Sequence, residues 1–270
     1  MASLASVTEL SLHSVIIDYA FLDMIKSKLP FLEILNLKTR GWTVERLDFT
    51  SSSLKRMTFL NRVSENIRSV DIQVYAPKLH QLSYNGKTIP SLLFPSSYVP
   101  EYINLELDLW DPVDHSFYLR MRELLDISSK FDIKIVCYKK EVNNDVDDDG
   151  EIRFPIPSTN VQQLTCITKS HKEPKMLFKL LTICHPKYLT IYCGTSIKGS
   201  KNWFRDFFEH VKVGIMVKKT CNLKDIEFKN PVNNGKWEVL TDSCITMFLD
   251  ASDEWDEWEC ELELKPNWQY

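Results

Sequence analysis

The chain has 270 residues, 44% of them apolar and 26% charged, with a formal net charge of −4. That balance is ordinary for a soluble globular protein, and its slight acidity gives no electrostatic reason to expect nucleic acid or an anionic membrane as a partner. Seven Gly leave little material for phosphate-cradling loops, no window approaches the roughly 18 apolar residues of a membrane span, and seven Cys with no Cys-x-x-Cys pair argue against a disulfide framework. No basic residue precedes an apolar run at the N-terminus, so a cytoplasmic or nuclear location, or both, is expected.

From the N-terminus one apolar phrase recurs. Val7-x-x-Leu10-x-Leu12 is followed by Leu32-x-x-Leu35-x-Leu37, Leu54-x-x-Met57-x-Phe59, Leu79-x-x-Leu82-x-Tyr84 and Tyr102-x-x-Leu105-x-Leu107. The starts lie 25, 22, 25 and 23 residues apart, inside the roughly 20–29-residue period of leucine-rich repeats. Two weaker copies, Val44-x-x-Leu47-x-Phe49 and Ile67-x-x-Val70-x-Ile72, run between them, 23 residues apart. Two interleaved series of one period predict two strands per coil, one on each broad face. A helix is expected over 14–29, where Ile17, Phe21, Ile25 and Leu29 make one stripe and Pro30 ends it. From Gly41 to Pro77 the Thr, Val, Ser and aromatic content favours strands. A second helix is expected over 115–130, carrying Phe117, Met121, Leu124 and Leu125, and then a strand over 132–138.

Residues 141–151 are too charged to pack and are expected to form a solvated loop. Val161-x-x-Leu164-x-Cys166 restarts the phrase. A helix over 173–185 then leads to a strand at Tyr188–Cys193, and a helix over 201–211 carries Trp203, Phe204, Phe207 and Phe208. Leu223-x-x-Ile226-x-Phe228 is a further copy and Glu259–Lys265 the last strand. The expected fold is α/β, a single repeat domain over 1–270 with one curved, mostly parallel sheet and helices and some strands on its convex side. Regular repeats occupy 7–110 and irregular ones 160–249; residues 250–270 form an acidic, Trp-bearing cap or tail.

Motifs that could carry chemistry are near misses. Asp145-x-Asp147-x-Asp149-Gly150 opens like a calcium loop, but Ile156 stands where a bidentate carboxylate is needed, so a solvated charge cluster is the better reading. Gly194-Thr-Ser-Ile-Lys-Gly199-Ser200-Lys201 has the glycine spacing of a P-loop with the Lys displaced by one position, which favours a plain strand-to-helix loop. No His or Cys spacing suits structural zinc, and no hydrolase elbow or His-Glu-x-x-His occurs. No catalytic residue, metal or cofactor is expected, and the protein is read as a non-enzyme. Residues 250–263 hold eight carboxylates, no basic side chain, and Trp255 and Trp258. They could dock a basic partner, but the Trp pair as a cover for the end of the core is the favoured reading.

The segments Leu29-Pro-Phe-Leu-Glu-Ile-Leu-Asn-Leu37, Val44 to Phe59 and Ile72 to Gly86 give the chain its resemblance to the leucine-rich-repeat region of plant F-box/LRR proteins. The resemblance is specific over 7–86 and weaker from 100 onward. It implies that the repeats recognise a protein substrate for a Skp1-cullin-F-box ubiquitin ligase. An F-box is not seen before Val7, so a Skp1-type adaptor is an expected partner only if one lies upstream. The alternative is a stand-alone interaction protein of this type, or a truncated relative, with no ubiquitin-ligase role. Residues between the inward leucines face the concave surface. One expected row is Asn36, Thr58, Ser83, Glu106, Lys134, Thr165, Thr190 and Glu227. The other is Lys38, Leu60, Asn85, Asp108, Val136, Ile167, Tyr192 and Lys229. The partner-binding candidates are Asn36, Lys38, Thr58, Ser83, Asn85, Glu106, Asp108, Lys134, Thr165, Thr190 and Tyr192.

Overall fold

The computed structural model describes residues 6–44, 46–61, 71–95, 98–110, 113–138, 157–168, 175–193, 204–209, 223–230, 236–239, 241 and 260–268. The acidic loop 141–151, the calcium-like and P-loop-like motifs, Trp203 and the stretch 250–259 with Trp255 and Trp258 lie outside the described residues. The architecture is α/β, with a large, mostly parallel sheet and few helices. The chain divides into two compact units, Met1–Asp108 with Leu119–Asp132, and Leu109–Tyr118 with Ile133–Tyr270.

In the first unit come strand β1 (Glu9–Ile17), helix α1 (Tyr19–Lys28) and strands β2 (Ile34–Trp42), β3 (Arg46–Thr50), β4 (Arg56–Asn61), β5 (Asp71–Tyr75), β6 (Gln81–Gly86), β7 (Ser91–Leu93) and β8 (Tyr102–Leu109). The two interleaved series are two sheets. Strands β1-β2-β4-β6-β8 form a parallel ladder in that order, and β3-β5-β7 a second one. Leu35, Leu37, Met57, Phe59, Leu82 and Tyr84 from the first sheet are buried, as are Leu47, Phe49, Ile72, Val74 and Leu92 from the second. Burial alternates along the strands of both sheets because successive strand side chains point to opposite faces.

The approach to each main-sheet strand from β2 to β8 repeats one backbone device. Thr8 O accepts from both Glu33 N and Ile34 N, Glu33 O from Lys55 N and Arg56 N, and Lys55 O from His80 N and Gln81 N; Tyr102 N then donates to His80 O. Each accepting carbonyl sits one residue after the first position of the phrase. The side chains at that first position, Leu32, Leu54, Leu79 and Pro100, are buried under the turn. Hydroxyls reinforce the step: Ser53 Oγ donates to Leu32 O at 2.8 Å, and Ser128 Oγ to Pro100 O at the same distance.

This geometry moves two registers. Ser83 pairs with Asn104 and Asn85 with Glu106, so the fifth copy of the phrase is Pro100-x-x-Ile103-x-Leu105, two residues before the expected one. On the second sheet Leu47 pairs with Ile72 and Phe49 with Val74, again a shift of two from the expected copy at Ile67. Helix α1 is also shorter than expected. β1 runs on to Ile17 through an irregularity at Ser14, whose φ is 60°, and the helix starts only where Asp18 Oδ1 accepts from Phe21 N at 2.7 Å.

Helix α2 (His115–Leu125) supplies residues to both units. It is capped by Asp114 Oδ1, which accepts from Phe117 N, and buries Tyr118, Met121, Leu124 and Leu125. Strand β9 (Lys130–Cys137) follows. Then come β10 (Val161–Thr168), helix α3 (Lys175–Ile183), β11 (Tyr188–Cys193), β12 (Leu223–Asn230), β13 (Lys236–Val239) and β14 (Cys260–Trp268). The ladder in the second unit runs β9-β10-β11-β14-β12-β13. β10 and β11 are parallel, whereas β14 is antiparallel to both β11 and β12, and β12 is antiparallel to β13. β14 coincides with the expected last strand at Glu259–Lys265, but it lies inside the sheet rather than in a terminal cap or tail. Phe204, Phe207 and Phe208, in the helical stretch 204–209, are buried, and Phe207 stacks on Phe178 with ring centroids 5.7 Å apart.

Gly86 leaves no room for a side chain. An ideal Cβ there would lie 2.7 Å from Tyr84 Cζ, whose ring stacks on Phe59. Gly86→Ala is expected to cost about 1–3 kcal/mol by forcing Tyr84 off its position, measured as a lowered midpoint in denaturant unfolding.

Candidate functional site

The exposed face of the first unit's main sheet carries the predicted residues in aligned rows. Register pairs place Ser11, Asn36, Thr58, Ser83 and Asn104 opposite one another on neighbouring strands, spaced by roughly 4.8 Å from strand to strand. All five carry a hydroxyl or an amide and none is charged. Asn36 Nδ2 donates to Ser11 Oγ at 3.0 Å. The next row holds His13, Lys38, Leu60, Asn85 and Glu106. Glu106 thus joins Lys38 and Asn85 rather than Asn36, a correction that follows from the register at β8, and Asp108 lies two residues further along that strand.

On the other side of the uncharged row run Glu9, Ile34, Arg56, Gln81 and Tyr102. Between these two rows lies a shallow depression of about 200 Å³, lined by Asn36, Thr58, Ser83, Glu9, Arg56 and Gln81 among others. The Tyr102 hydroxyl donates to the Asp132 carboxylate, and burial first, that carboxylate second, raise its phenol well above the usual range. At the starts of the strands, Lys55 pairs with Glu33 at 2.8 Å and Lys130 with Glu101; the Lys130 ammonium holds the Glu101 carboxyl below its usual value. Exposed pairs of this kind add little stability and act more on alignment.

The second unit treats its candidates differently. Thr165 pairs with Thr190 and Ile167 with Tyr192, as expected. Across β14, however, Thr190 faces Glu263 and Tyr192 faces Glu261, so Glu227 and Lys229 do not continue these rows next to β11. Those two residues are bound into ion pairs instead, Lys229 with Glu263 at 2.7 Å and Lys265 with Glu227 at 3.1 Å. Thr190 is only 7% exposed, and Lys134 and Tyr192 are half-buried. Val136 is buried, so it is core rather than surface.

Sequence reasoning omitted Ser11, Asn104, Arg56 and Gln81 from the face. Ser11 stands at the fifth position of the first phrase and could have opened the row; Asn104 was hidden because Pro100 replaces the leading Leu. His185 and Trp268 were missed as a pair. Their rings stack in parallel with centroids 3.9 Å apart, and His185 is 1% exposed. Among the described residues no group of three or more His, Cys, Asp or Glu could hold a metal ion, and no helix is long and apolar enough to cross a membrane.

Comparison with family models, with curated proteins and with solved structures returned no match to this chain.

Burial lowers the His185 imidazole to about 4, so the folded chain holds it neutral while the unfolded chain titrates near 6.5. The stability this preference contributes is full above pH 6.5 and is lost as pH falls towards 4. Between pH 7 and 4.5 the second unit is expected to lose about 2 kcal/mol from this residue. His185→Phe, which keeps the ring stack, is expected to abolish that part of the acid-induced drop in thermal midpoint.

Proposed function

We propose that the chain is a leucine-rich-repeat solenoid that binds a protein partner on the exposed face of its first unit's main sheet. In this reading it resembles the substrate-recognition region of an F-box/LRR subunit of a Skp1-cullin-F-box ubiquitin ligase. The observation that carries the binding role is the uncharged row Ser11, Asn36, Thr58, Ser83 and Asn104, held in register on five parallel strands and flanked on both sides by rows that include charged residues. Such a surface matches the pattern of an interface that presents many hydrogen-bonding groups at low desolvation cost and leaves charges at the rim. Binding energy concentrates in a few such positions, and the depression around Thr58 and Ser83 is where an anchoring side chain fits.

The solenoid reading rests on the repeated carbonyl step and on coils whose strands alternate between two parallel sheets. The ligase role rests on the resemblance over residues 7–86. A Skp1-type adaptor enters only through an F-box.

The test is quantitative affinity capture with the wild-type chain, with Thr58→Arg/Ser83→Arg, and with Asp48→Arg on the three-stranded sheet. At least one captured protein is expected to fall about tenfold or more in yield with the double variant and to stay unchanged with Asp48→Arg. If every captured protein responds alike to both variants, the face is not the binding surface. On size-exclusion chromatography, co-elution of a Skp1-type adaptor with a form of the chain extended upstream would support the ligase role; a face-dependent partner with no co-elution by either form would leave a stand-alone interaction protein.

A further inference from the structure

The second unit contains a cleft that originates in one residue. β14 pairs with β11 from Cys260 opposite Cys193 to Leu264 opposite Leu189. Continued in that register, Pro266 would face Lys187 and Trp268 would face His185. Pro266 has no N–H to give to a ladder, and β11 begins only at Tyr188, so pairing stops. On its other side β14 continues along β12 as far as Trp268 opposite Leu223. Beyond Leu189 and Leu264 side-chain contacts replace the ladder bonds between the two segments, and beside them lies a cleft of about 570 Å³.

Its walls combine two chemistries. The His185–Trp268 stack forms one aromatic surface, fixed by a hydrogen bond from Trp268 Nε1 to Pro186 O at 2.9 Å. Tyr188, 48% exposed, forms another, and Trp237 lies 6.3 Å from it, ring to ring. Two ammonium groups, Lys187 and Lys265, also line the space, and among the described residues no Asp or Glu does. Lys265 is partly neutralised by Glu227, whereas Lys187 is exposed and makes no ion pair among the described residues.

We propose that this cleft binds a planar aromatic anion, with its ring against Tyr188 and Trp268 and its negative group between Lys187 and Lys265. The volume lies inside the range of small-molecule sites. A neutral aromatic compound would leave the ammonium groups unmatched, and a small inorganic anion would leave both aromatic walls uncovered. The site is separate from the protein-binding face and stands or falls independently of it.

The experiment is isothermal titration of the full chain with naphthalene-2-sulfonate, its uncharged analogue naphthalene-2-sulfonamide, and methanesulfonate. One molecule of naphthalene-2-sulfonate is expected to bind, the sulfonamide about tenfold more weakly, and methanesulfonate without measurable heat. Lys187→Met and Tyr188→Leu change exposed side chains and are each expected to weaken binding about tenfold, while Lys187→Arg and Tyr188→Phe retain it. The proposal is overturned if the wild-type chain does not bind naphthalene-2-sulfonate at millimolar concentration, if both Lys187→Met and Tyr188→Leu bind as well as wild type, or if charge or ring proves dispensable in the ligand series.

Discussion

Parallel strands cannot be joined by tight hairpins; the chain must travel away and return to the same edge. In the first unit that requirement shapes nearly everything else. From β2 onward the return path is itself a strand, so β3, β5 and β7 make a second sheet, and at three of the four junctions one carbonyl receives two successive N–H groups from the next strand. A buried side chain at the head of the phrase fills the space under the turn, and a shared carbonyl leaves no slack for slippage by one residue. A slip of one would turn Leu35, Met57 and Leu82 outward together, at a cost no surface contact could offset.

The face that follows from this is ordered without being designed strand by strand. Once the inward positions are fixed, the outward ones stand in lines across the sheet, and selection can vary each line independently. In the first unit the central line is free of charge, and charged residues stand beside it. In the second unit the corresponding lines include carboxylates and ammonium groups that are already joined in pairs, Lys229 with Glu263 and Lys265 with Glu227. The same alternation therefore yields a surface of hydrogen-bonding groups in one unit and one occupied by its own ion pairs in the other.

Most of this was legible where local pattern and global packing agree. Leu32 to Tyr84 announced the two interleaved series of strands, and Tyr188–Cys193 was located to the residue, because apolar alternation and spacing point the same way there. Legibility failed where a residue of a different kind took a structural role. Pro100 stands where the other copies of the phrase have an aliphatic side chain, which displaced the reading of β8 by two and misplaced Glu106. Asp18, an N-cap that separates a strand from a helix, was absorbed into a helical stripe that fitted Ile17 and Phe21 equally well. The strand itself was expected at Glu259–Lys265, but its place between β11 and β12 left no trace in the pattern, since antiparallel insertion depends on contacts with residues 36 to 75 positions away. Of the candidate surface, Asn36, Thr58 and Ser83 came together as read; Thr190 did not remain accessible, because β14 brings Glu263 alongside it.

The place of β14 also sets an order of events. Every strand of the first unit's main sheet is laid against one made shortly before it, so that unit can be built progressively as the chain emerges from the ribosome. In the second unit, β12 and β13 are synthesised before β14, yet their connection to β11 runs through it. Until Cys260–Trp268 has been made, β11 and β12 each present an open edge, the kind of template that invites pairing with another chain. The nascent second unit therefore passes through an interval in which both of these edges are open, and the strand that completes its sheet covers the two together.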